Sequence, residues 1–120
     1  MLTLLEWLPR IGAILSVLIG LLGFFKPKVF LDQINIDLQS PMAWSEARAV
    51  FGGMNLGLGL AALTMDNAAV YTALGVAWGF LTLARLWSLA VDGPGFRATL
   101  PALIVDGGLC LLFLSPVLFG

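Results

Sequence analysis

Four apolar stretches, each about as long as a bilayer is thick, constrain this chain more than any other feature. A helix needs about 20 consecutive apolar residues to cross the hydrocarbon core. The first stretch covers residues 4–25 and stops at Lys26-Pro27-Lys28. The second opens at Ser40-Pro41, an N-cap followed by a first-turn proline, so it occupies residues 41–65. Asp66-Asn67 makes a tight turn into the third, 68–91, which Asp92-Gly93-Pro94-Gly95 terminates; the fourth occupies 98–119. These spans predict an all-α integral membrane protein. It is a single domain over residues 1–120, a four-helix up-down-up-down bundle with both termini on one face.

The composition agrees. Only 11 % of the residues are charged and 60 % are hydrophobic, where a soluble domain carries about 25 % charge. A net charge of −1 with no basic patch argues against nucleic acid. With no histidine and with Cys110 as the single cysteine, an intramolecular disulfide is excluded. So are the usual zinc, haem-histidine and Ser-His-Asp arrangements. No metal, no cofactor and no catalytic residues are expected. Residues 1–25 read as a retained helix, not a signal peptide: the apolar core is too long, Glu6 stands at its start, and the small-residue cleavage pattern is missing.

The connection between the first two spans, KPKVFLDQINIDLQSP, places Phe30, Leu31 and Ile34 at helical spacing. It predicts either a short amphipathic piece on the membrane surface or a compact loop folded over the bundle end. Lys26, Lys28 and Arg97 flank the loop side, with Arg48 and Arg85 in the same half, against Arg10 alone on the terminal side. The positive-inside rule then sets the loops in the cytoplasm and both termini outside.

Small residues let helix backbones approach closely in lipid. Gly12, Ser16 and Gly20 provide two small-xxx-small steps on the first helix, and Gly53/Gly57 and Gly75/Gly79 repeat the device on the second and third. On a regular helix at about 100° per residue, Glu46, Gly53 and Gly57 share one face of the second span. Arg48, Gly52, Asn55 and Gly59 share nearly the opposite one. A helix with small and polar residues on both faces predicts neighbours on both, a second subunit among them.

Depth counting singles out four charges. Arg85 lies seven residues before Asp92, about 10 Å inside the loop-side boundary, and Asp106 and Glu46 each lie five residues past the proline opening their helix. Glu46, Arg48, Arg85 and Asp106 therefore share one leaflet and sum to zero charge. An ionisable residue inside the membrane costs about 2.5–3.5 kcal/mol on insertion scales and is a functional-site hypothesis by default. Arg85 with Asp106 is the first pairing expected, as a structural staple or as a site facing a polar cavity. Glu46 joins that pair or faces the third helix. Arg48 is satisfied by Asn55, a carbonyl or lipid phosphate, or snorkels to water. Glu6 and Arg10 are expected to pair at i,i+4. Trp7, Trp44 and Trp87 suit the interfacial belts, Trp78 reads as packing, and Cys110 as a small apolar filler.

The run Glu46-Ala-Arg48-x-x-x-Gly52-Gly53, followed by Gly57-x-Gly59 and later by Arg85, resembles a bacterial family of small four-pass membrane proteins classed as a domain of unknown function, similar in layout to the DoxX-like membrane proteins. The resemblance spans most of the chain and implies that Glu46, Arg48, Gly52 and Gly53 belong to one site. Two readings of function follow. One is a non-enzymatic module: a scaffold or accessory subunit of a homo-oligomer or larger membrane complex, or a holder of an apolar or lipid-like ligand. The other is a small oligomeric proton-coupled transporter using Asp106 or Glu46. An enzyme ranks below both, because mutually neutralised charges make a poor general base.

Overall fold

A computed structural model describes residues 3–120. Those residues are all-helical, with no strand among them. The elements are α1 (Leu4–Phe25), α2 (Pro27–Gln33), α3 (Pro41–Glu46), a π-helical segment (Ala47–Met54), α4 (Asn55–Met65), α5 (Ala68–Val91) and α6 (Phe96–Phe119). Local chemistry sets their ends. The side chains of Thr3, Ser40 and Asn67 each accept a backbone N–H three residues on, capping the starts of α1, α3 and α5. Asp66 adopts a left-handed conformation (φ 45°) that closes α4. Gly95 (φ 90°) turns the chain into α6 at Phe96, two residues ahead of the expected start.

Helices α1, α5 and α6 are long and apolar enough to cross a membrane. They mark a membrane-embedded protein, and its outer surface agrees: Phe80, Trp87 and Ile104 are 67 %, 70 % and 64 % exposed. The stretch 41–65, expected as one regular α-helix, is helical throughout but winds as a π-helix over its middle third. Despite the wider i→i+5 winding of a π turn, the two faces hold: Gly52, Asn55 and Gly59 are buried toward α1, while Glu46 and Gly57 are exposed.

Packing runs in a chain: α5 lies on α6, α6 on α1, and α1 on the π segment and α4. The stretch 41–65 and α5 follow each other in sequence but touch little. One core lies among Ala13, Ala62, Tyr71, Leu74, Leu109 and Phe113. A second gathers Phe30, Leu31, Ile34, Ala47 and Ala102. Thus α2 turns its apolar residues into the protein, over the loop-side end, which decides between the two forms its sequence allows.

The small residues divide in a way that the sequence does not reveal. At Gly52 an added Cβ would sit 2.6 Å from the Phe24 Cα, and at Gly23, on the facing helix, 2.6 Å from the Phe51 carbonyl carbon. Backbones meet directly here. Gly12, Gly20, Gly59, Gly75 and Gly79 also lie against neighbouring helices, and Ser16 is buried, donating to the Asn55 carbonyl at 2.9 Å. Gly53 meets only its own helix and Gly57 meets nothing. The two-sided packing expected of the second span is one-sided within the protomer.

Candidate functional site: an ion pair on the wall of a lateral cleft

The gap between the stretch 41–65 and α5 is a cleft of about 650 Å³, counting the part open to the outside. Val50, Met54 and Leu58 line one side and Leu74, Ala77, Trp78 and Leu81 the other, with Phe30 of α2 and Ile34 just beyond it at the loop-side end. Asn55, Arg85 and Asp106 are the polar residues of the wall. Asn55 is satisfied locally: its amide donates to the Phe51 carbonyl at 3.1 Å, and its own carbonyls accept from Ser16.

Arg85 Nε donates to Asp106 Oδ2. The Asp106 side chain is 5 % exposed and that of Arg85 24 %. Depth counting along α5 and α6 places these two level, and they meet. The pair uses only one donor of Arg85. Nη1 and Nη2, which carry four N–H groups, donate to nothing among the described residues.

The other two charges of the expected cluster stand elsewhere. Glu46 is exposed and has no hydrogen bond or ion pair among the described residues. Arg48 is exposed too: its Nη1 donates to the Phe24 carbonyl, in the last turn of α1, and its guanidinium lies 5.8 Å from the Trp44 ring centroid. The last carbonyls of a helix have no intrahelical partner, so Arg48 caps α1. The four-charge cluster therefore reduces to a pair. Glu46 and Arg48 sit at the start of the π segment, on the protein's outside.

Arg10 also departs from expectation. It meets Glu6 only through the backbone carbonyl, at 3.0 Å, and gives Nε and Nη2 to the two carboxylate oxygens of Asp66 at 3.0 and 2.8 Å. Tyr71 donates its hydroxyl to Asp66 as well, at 2.8 Å. This ties α1, the α4–α5 turn and α5 together at the terminal side. The Arg10 hydrogen bonds, then that of Tyr71, hold the Asp66 carboxyl below its ordinary range.

Residues 4–116 match a family described as a domain of unknown function, DUF4345. The chain belongs to that family. Nothing among curated proteins or solved structures matches it significantly. DUF4345 membership assigns no chemistry, so the cleft itself is what a functional reading has to explain. Sequence reasoning found Arg85 and Asp106 through their depth. It missed the cleft, because a gap between two consecutive helices leaves no periodic mark on either.

Proposed function

We propose that this DUF4345 protein is a non-enzymatic membrane module that holds a lipid-like ligand in the cleft between its second span and α5. The observation that carries this is a buried ion pair on the wall of an otherwise apolar opening. A staple alone needs no cavity beside it, and a proton path needs more polar lining than three residues supply. In this reading the stretch 41–65 crosses as a fourth span, and the whole chain forms one four-helix up-down-up-down unit, in keeping with the DoxX-like layout. Lys26, Lys28 and Arg97 hold the loops on the cytoplasmic side of a bacterial inner membrane, with both termini outside. The outward face of Gly53 and Gly57 is where a second copy or an accessory subunit packs.

Native mass spectrometry of the protein in a mild detergent tests this reading. A small molecule retained by the wild type and displaced by filling the cleft with Ala77→Trp is the expected result. A bare protein, with no added lipid retained under any condition, overturns it and leaves a purely structural module.

A further inference from the structure

A second hollow adjoins the cleft at its loop-side end. Ile34, Arg85 and Ala102 line both, and Asn35, Ile36, Ser88, Pro94, Ala98 and Thr99 complete the second. The two differ in chemistry. The cleft is apolar, whereas the hollow carries hydroxyls and an amide, and Arg85 stands between them.

The polar groups of the hollow are already engaged. Asn35 donates to the Ala98 carbonyl at 2.8 Å, Ser88 to Asp92 at 2.6 Å and Thr99 to the Gly95 carbonyl at 2.9 Å. The terminal nitrogens of Arg85 are thus the donors left over where the two spaces meet. Their planar fork matches the two oxygens of a carboxylate or phosphate.

Resting on the ligand-binding reading above, we infer that the ligand is a single-chain amphiphile with an oxyanion head, a carboxylate or a phosphate monoester. Its chain lies in the cleft and its head on the Nη1/Nη2 edge of Arg85. The dimensions agree. From Leu74 to Arg85 the α5 wall rises about 16 Å at 1.5 Å per residue, about half of the ~30 Å hydrocarbon core. At roughly 30 Å³ per water-sized group, the cleft takes at most roughly twenty such groups. That is one acyl chain, not two. Asp106 takes the remaining edge of the guanidinium and orients it.

The test uses the full-length protein in detergent micelles and a photoreactive C16 fatty acid, with the matching C16 alcohol as uncharged control. The expected result is saturable labelling of cleft residues such as Met54, Leu58 or Leu81 by the acid, about tenfold or more over the alcohol. Stronger competition by palmitate than by lysophosphatidate would identify the head as a carboxylate, and the reverse order as a phosphate monoester; either supports the assignment. The paired variant Arg85→Gln/Asp106→Asn leaves no unpaired charge. It should keep the fold, judged by its thermal transition, while losing the preference for the acid. Equal labelling by acid and alcohol, or a preference that survives in the paired variant, overturns the head assignment and leaves the ligand-binding reading standing. Absence of cleft labelling by both probes overturns that reading as well.

Discussion

Among the described residues the molecule holds two arginine–aspartate pairs, one at the terminal side and one inside the loop-side half, and they are built differently. Arg10 spends three donor groups, two on Asp66 and one on a backbone carbonyl, and Asp66 receives Tyr71 in addition. It is a closed network at the terminal side, with side chains 22 % and 39 % exposed. Arg85 spends one donor on a carboxylate that is almost fully buried, and its other donors have no partner among the described residues. The same two residue types therefore make a clasp in one place and an incomplete coordination sphere in the other. Saturation by protein partners separates the two, and net charge does not.

That contrast can be broken most directly by removing one partner. Arg85→Ala leaves the almost fully buried Asp106 carboxylate without its partner and should cost about 3–5 kcal/mol, read as a lowered unfolding transition in mixed micelles. A double-mutant cycle over Arg85 and Asp106 should give a coupling several-fold larger than the same cycle over Arg10 and Asp66, where water solvates what is left behind. Equal couplings would erase the distinction.

The glycine faces sharpen the same contrast between filled and open surroundings. Gly52→Ala pushes a methyl group into the α1 backbone and should destabilise by about 1–3 kcal/mol. Gly57→Ala meets open space and should be neutral or stabilising by up to about 1 kcal/mol in the monomer. Both are measurable by the same unfolding assay, and a loss of dimer in Gly57→Leu would place the partner on this face.

Smaller still is the effect of Arg48→Ala, which strips the C-terminal cap of α1. A cost of about 0.3–1 kcal/mol is expected, with faster hydrogen exchange confined to the last turn of α1. Last comes pH. Because the folded carboxyl of Asp66 titrates below its unfolded value, its contribution to stability is present above the ordinary carboxylate pKa and disappears as pH falls through the folded one. The stability gap between wild type and Asp66→Asn should therefore close on acidification below about pH 4. A gap that widens would mean that Asp66 does not serve as an anionic clasp.

Much of this architecture is written in local sequence. The ends of α1 and α5 follow from Lys26-Pro27 and from Asp66-Asn67 and Asp92-Gly93, because breakers and caps act over a few residues. The level depth of Arg85 and Asp106 needs only the rise per residue. What stays illegible depends on partners distant in the chain. Nothing near Arg10 says that it prefers Asp66, 56 residues away, to Glu6, one turn away. The π segment escapes as well: Gly52-Gly53 permits close contact with α1, but nothing in the residues marks the change to i→i+5 bonding. Depth counting carries no lateral information, and it therefore groups Glu46 and Arg48 with a pair they do not join.

The lid formed by α2 has a consequence for how occupancy is to be expressed. With Phe30 and Ile34 lining the loop-side end and little contact between residues 41–65 and α5, the ligand-binding reading has its guest enter between those two elements. A guest entering by that side comes from the membrane phase, so the governing quantity is its mole fraction among lipids and not its aqueous concentration. Dissociation constants quoted in molar units would then drift with the amount of detergent or lipid present. Constants expressed per lipid would hold still, and a titration at two lipid-to-protein ratios is enough to tell the two scales apart.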